Sequence, residues 1–372
     1  MKSSNQNQSN QTLLMLELLR SSLLKKKPTF TSTTIDWDSL MDQSGEEGIL
    51  AWVWDGICQL PKELQPPRLQ RINWDLSSGE ITGIYEKQKH ILSQILETCG
   101  RHEIRLLLLK GISLSHLYDK PQCRPCGDID IFVFDDYNRF NHLYSEYYDY
   151  NYCHHDVFFL DGVRIENHRE FIDTDTRQRK DINIYLRSCL KDVRLTPFGY
   201  YELPPMAYLI FLSVHSMHHI YCDSTITMRS LADFAMYLRT HSKELRPEDC
   251  FLLLKQFKID KGFEVLLYMS EFVLGISFDE YHQRALPRNY VAFLKNWICS
   301  GYAKPSTKEE ALKNGVWSYI VMLRDKMRIR RYMLRLYDLG RYYNLKSLKH
   351  RMHEFGYALI RKNGPNKMRS ND

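Results

Sequence analysis

No stretch of this 372-residue sequence approaches the eighteen or so apolar residues that a membrane-spanning helix needs, and the longest purely aliphatic run is Leu106 to Leu109. A disulfide framework is excluded as well. The nine cysteines are an odd number without a repeating spacing, which fits reduced thiols better than a secreted scaffold. The N-terminus, MKSSNQNQSNQT, is polar, and the leucines after it are interrupted by Glu17 and Arg20, so nothing there resembles a signal peptide. These absences lead to the expectation of a soluble, cytoplasmic protein. An excess of one charge is also lacking: 51 Lys and Arg stand against 45 Asp and Glu, and a net +6 does not by itself argue for nucleic-acid binding. What excess exists is local, with fourteen basic against four acidic residues between Val321 and Asp372.

What is present is a globular composition, 44% apolar and 13% aromatic, in a chain long enough for two or three packed units. The Ser, Asn and Gln of residues 1–11 read as disordered, and a leucine-rich helix is expected from about Thr12. Apolar spacings of three and four, as in Ile49, Trp52, Val53 and Ile57 and again in Ile84, Ile91, Leu92 and Ile95, make residues 12–102 a helical N-terminal region. Pro61, Pro66 and Pro67 cut it in two.

The pattern changes at residues 103–200, which read as a compact mixed α/β core. Leu106 to Leu109 and Ile129 to Phe134 look like buried strands, with a helix expected at Gly111 to Tyr118 between them. Tyr137 to Tyr147 reads as a helix. Val157 to Leu160 and Val163 to Asn167 then form a hairpin around Asp161-Gly162, and Ile182 to Leu186 alternates like a fifth strand. Residues 201–360 carry helical periodicity, and residues 361–372 read as a disordered basic tail.

The chemistry concentrates at Gly127-Asp128-Ile129-Asp130-Ile131-Phe132. Strand alternation sends both carboxylates to one face, where burial would be costly without a positive partner, and a divalent cation such as Mg2+ or Mn2+ is the simplest one. A turn-capping Asp128 and a salt-bridged Asp130 are the alternative. A third acid, Glu166, follows the hairpin, with Asp181 as a less favoured rival. Three carboxylates on neighbouring strands suit metal-assisted nucleotidyl transfer. Upstream, Lys110, Gly111 and Ser113 stand where a strand gives way to a helix, a place for phosphate oxygens, and Lys110 and Arg124 are the obvious charge partners.

The run LLLLKGISLSHLYDKPQCRPCGDIDIFV resembles the signature of the uncharacterised nucleotidyltransferase family of bacteria, a branch of the polymerase-beta-like nucleotidyltransferases. The resemblance rests on Lys110-Gly111 and on Arg124, Pro125, Gly127, Asp128 and Asp130, and it extends from about Trp37 to the helix around His215 and Asp233. It implies a small nucleotidyltransferase-type mixed sheet flanked by N- and C-terminal helices. Asp128, Asp130 and Glu166 would then bind metal and perform catalysis, and Lys110, Gly111, Ser113, Arg124 and Gly127 would hold a nucleoside triphosphate, ATP by default. The third-acid strand departs from the family's Glu-Leu-His, reading Glu166-Asn167-His168, and Ile112 separates Gly111 from Ser113. A binding protein that keeps the fold without turnover is the alternative. The acceptor, whether small molecule, protein or RNA, is left open.

The resemblance also implies that a His-rich helix followed by Arg229 and Asp233 packs near the nucleotide site. His168, His215, Arg229 and Asp233 are therefore candidates for the acceptor side or for supporting the site. Zinc at His215, His218 and His219 is disfavoured against a polar network, because no acid or thiolate converges on them in the motif. A zinc site drawn from Cys123, Cys126, His154 and His155 is disfavoured too, since Asp-x-Asp already accounts for that loop. In the tail, Arg324, Arg328, Arg331, Arg335 and Arg341 are interleaved with Tyr319, Tyr332, Tyr337, Tyr342 and Tyr343, which read first as an ordinary surface helix and only second as a nucleic-acid contact.

Overall fold

The computed structural model describes residues 2–28, 35–152, 155–173, 177–220, 226–286 and 288–299. Among these lie eleven α-helices and one seven-stranded mixed sheet. The N-terminal helices are α1 (Lys2–Leu24), α2 (Trp37–Glu46), α3 (Leu50–Cys58) and α4 (Arg68–Arg101). The central part runs β1 (Leu107–Leu108), β2 (Asp128–Phe132), α5 (Tyr137–Leu143), β3 (Tyr148–Tyr152), β4 (His155–Leu160), β5 (Val163–His168), α6 (Arg177–Ser188), β6 (Arg194–Leu195) and β7 (Tyr201–Glu202). Five helices follow: α7 (Pro205–His218), α8 (Met228–Thr240), α9 (Pro247–Gln256), α10 (Asp260–Leu274) and α11 (Arg288–Cys299). The basic stretch from Val321 lies outside the described residues.

The strand order is β3-β4-β5-β2-β1-β7-β6. Strand β2 pairs parallel with β5 and antiparallel with β1. At Asp161 and Gly162, both with positive φ (48° and 76°), a two-residue turn makes β4 and β5 a hairpin whose twist such a turn matches. Alternation along β2 then divides the core. Ile129 and Ile131 pack beneath α4 with Ile91, Leu92, Ile95, Phe158 and Ile165. On the opposite face Phe132 joins the larger core built by α1, α3, α7, α8 and α10. Asp130 shares that second face, so its carboxylate is carried into the interior by the same period-two rule that buries its neighbours.

Three local expectations are corrected. Helix α1 begins at Lys2, ahead of Thr12; once Leu14, Met15, Leu16, Leu18 and Leu19 are buried, each further N-terminal turn only propagates an existing helix. The helix expected at Gly111 to Tyr118 is a seven-residue 3₁₀ segment, Gly111–Leu117. Ile182 to Leu186 is no strand but part of α6: Ile182 and Leu186, four apart, are buried while Ile184 is exposed, so the helical period decides over the alternation. Asp181, the rival third acid, lies on that helix and not in the sheet.

Candidate active site

Parallel pairing of β2 with β5 sets Asp130 directly beside Glu166 and Asp128 beside Arg164. One ligand oxygen from each of Asp128, Asp130 and Glu166 can be chosen so that all three lie within 4.8 Å of one another. The sequence-derived triad is thus one cluster on one sheet face. Asp130 is fully buried and Asp128 partly open to solvent.

Such a concentration of negative charge is balanced locally. The Lys110 ammonium lies 2.7 Å from Asp130 Oδ2 and 4.0 Å from Asp128 Oδ2. The nearer contact is an ion pair rather than a directed hydrogen bond, since Oδ2 has no hydrogen-bond partner of good geometry among the described residues. His168 Nε2 is 2.9 Å from Asp130 Oδ1. Burial alone would raise the Asp130 carboxyl, but Lys110 and His168 together hold it well below the ordinary carboxylate range. Asp128 is displaced the other way, raised first by the Asp130 charge and then by burial. Glu166 is pushed up to about 7, by burial first and then by Asp130 and Asp128. A carboxyl near neutrality beside the ionised Asp130 is suited to accept a proton at physiological pH.

The phosphate-turn residues distribute differently from expectation. Gly111 has φ of 67°, and a Cβ there would lie 3.3 Å from the Asp128 carbonyl oxygen, so a glycine lets the 3₁₀ segment start hard against the acidic strand. Ser113 is buried, and its hydroxyl lies 3.1 Å from the Tyr208 hydroxyl. Gly127 leaves open space before β2. Arg124 does not face the carboxylates with free donors: its guanidinium grips Asp233 with Nε and Nη2 at 2.9 and 2.6 Å, and its Nη1 reaches Cys126 Sγ at 2.8 Å. Arg124 and Asp233, placed in separate roles from the sequence, are one buried pair, joined by the Tyr118 hydroxyl donating to Asp233 at 2.7 Å.

Arg229 lies one turn before Asp233 on α8. It donates to the Pro125 carbonyl at 3.1 Å, and it senses the charges of Arg124, Asp233 and Asp128. His215 on α7 is within electrostatic reach of Lys110 and Asp130, is held well below its ordinary pKa chiefly by burial, and has Nε2 3.1 Å from Nε2 of His219.

Sequence reasoning missed Arg164, and it considered His155 only with Cys123, Cys126 and His154, not beside Glu166. Arg164 Nη2 lies 2.5 Å from Glu166 Oε1, and His155 Nε2 lies 3.4 Å from Glu166 Oε2. Burial, and then the neighbouring His168, push the His155 imidazole down to about 4. Its position was legible in principle: counting outward from Asp161-Gly162 puts His155 directly opposite His168.

A family model described as an uncharacterised nucleotidyltransferase matches residues 33–275, more than half of the chain. The chain belongs to that family. The match spans α2 through α10 and takes in every residue of the acidic cluster, so the mixed sheet with its flanking helices is a nucleotidyltransferase-type fold. No curated protein and no solved structure matches the chain. Among the described residues no helix is long and apolar enough to cross a membrane.

Proposed function

We propose that this nucleotidyltransferase-family protein moves a nucleoside monophosphate from a nucleoside triphosphate, ATP by default, to a hydroxyl acceptor. The observation that carries this reading is the convergence of Asp128, Asp130 and Glu166 from two adjacent strands. Their hard oxygen donors fit Mg2+ or Mn2+, and Asp130 Oδ2, held by an ion pair without a directed hydrogen bond, can accept such a cation. When bound, the ion would neutralise triphosphate charge and favour ionisation of the attacking hydroxyl. The chain's own residues do the rest. Glu166, directly beside Asp130 on the adjacent strand, takes the acceptor proton. Lys110, on a flexible stem, turns from the carboxylates toward phosphate oxygens. Arg229 replaces Arg124 as the bidentate phosphate grip, because Arg124 is committed to Asp233. His215 borders the acceptor side.

A second reading, nucleotide binding without turnover, is favoured by the Lys110 ammonium 2.7 Å from Asp130, where a metal ion would compete with it. The test is incubation with Mg2+, each α-labelled nucleoside triphosphate and cell extract as acceptor source, beside an Asp128→Ala, Asp130→Ala double variant. Label transfer by the wild type alone supports transfer. Magnesium-dependent nucleotide binding in a calorimeter with no transfer favours the second reading, and neither signal overturns both.

A further inference from the structure

Beside the acidic triad, on its β4 side, the same sheet face holds a second group of different chemistry. His155 and His168 are direct cross-strand partners on β4 and β5, and Glu166 lies two residues before His168 on the same face. A ligand atom from each of His155, Glu166 and His168 can be chosen so that the three lie within 4.8 Å of one another, and all three residues are buried. We propose that His155, His168 and Glu166 form a three-ligand site for a divalent transition-metal ion of the Zn2+ type, distinct in preference from the Mg2+-type triad with which it shares Glu166.

The distances support coordination. A tetrahedral ion with bonds of about 2.0–2.1 Å sets its ligand atoms about 3.3–3.4 Å apart. His155 Nε2 and His168 Nε2 lie 3.4 and 3.7 Å from Glu166 Oε2, beyond an ordinary hydrogen bond and close to that edge length. The His168 Nε2 to Asp130 Oδ1 contact, 2.9 Å, is short enough for a hydrogen bond, so the ion replaces the Nε2 proton that Asp130 accepts. All three ligands stand on paired strands, which fix them more closely than loops would. Two imidazole nitrogens select zinc-like ions over magnesium, which prefers oxygen and water. Rival clusters are poorer: among the described residues His215 and His219 form no group of three ligands, and Cys126 Sγ already accepts from Arg124.

The site goes beyond the proposed transfer reaction, and its test reads metal binding alone. The full chain, stripped with a chelator, is titrated with Co2+ as a visible-absorbing probe in a hundredfold excess of Mg2+. One Co2+ ion is expected to bind with a nitrogen- and oxygen-ligand spectrum, to be displaced by Zn2+, and to shift the ring-proton resonances of two histidines. His155→Ala and His168→Ala should each weaken binding at least tenfold, His155→Gln should do the same with less disturbance of packing, and His90→Ala, at an exposed position of α4, should leave it unchanged. No bound Co2+, a thiolate charge-transfer band, or affinity unaffected by the His155 and His168 variants would overturn the site. Label transfer is scored separately: a failed Co2+ titration with transfer intact removes only this site, and a sound Co2+ site without transfer or nucleotide binding removes only the transfer reading.

Discussion

The guanidinium of Arg124 spans both oxygens of Asp233, 109 residues further along the chain, and ties the loop that leads into β2 to helix α8. Both side chains are buried, so removing one partner strands a charge in the interior. Arg124→Ala should lower stability by about 3–5 kcal/mol, whereas Arg124→Met with Asp233→Leu together should recover most of the loss. Thermal melting of the three variants decides this, and an Arg124→Ala protein that melts like the wild type would contradict it.

Lys110 is the cation nearest the paired aspartates. In Lys110→Met the carboxylates lose that balance, and the protein without metal should be destabilised by about 3–5 kcal/mol. Millimolar Mg2+ should then raise its melting temperature more than that of the wild type, because the ion no longer competes with an ammonium. Equal Mg2+ responses in the two proteins would show that the lysine does not occupy the cation's place.

His282 reports on pH far from the site. It lies 2.5 Å from Glu264 and 3.0 Å from Glu271, and these two contacts raise its pKa from 6.5 to about 9 despite the opposing effect of burial. A group with a raised folded-state pKa stabilises fully below its unfolded value and loses that contribution as pH climbs through the folded one. Urea midpoints should therefore fall between about pH 6.5 and 9, and His282→Gln should flatten that limb of the profile. A parallel decline in both proteins would assign it elsewhere.

Two glycine substitutions should have opposite signs. A Cβ on Gly56 of α3 would lie 2.2 Å from the Leu18 carbonyl oxygen of α1, a backbone atom that cannot turn away, so Gly56→Ala should cost about 1–3 kcal/mol or more. Gly83 of α4 has nothing within 4 Å, and Gly83→Ala should stabilise by about 0.5–1 kcal/mol through helix propensity. Chemical denaturation of both variants gives the comparison.

Much of the site was legible because it is encoded in short range. Strand alternation put Asp128 and Asp130 on one face, and the Asp161-Gly162 turn fixed the register that carries His155 to His168, whereas Glu166 reaches Asp130 through the parallel pairing of β5 with β2. Prolines 61, 66 and 67 likewise marked the break between α3 and α4. The alternation of Ile182, Ile184 and Leu186 misled, because a five-residue apolar pattern fits either period until packing exposes Ile184 and buries the other two.

The amino-acid sequence alone determined the acidic strand, the hairpin and the family, since each depends on residues within a turn or a strand of one another. Tertiary structure alone decided which cation meets which carboxylate. Arg124 could have served phosphate or Asp233, and Lys110, in the protein without nucleotide, could have stood in solvent or against Asp130. Only the packing of α8 against the loop before β2, and of Lys110 against β2, selects between them. Desolvation makes an unpaired buried charge too costly to leave, so the nearest opposite charge in space, however distant in the chain, takes the contact.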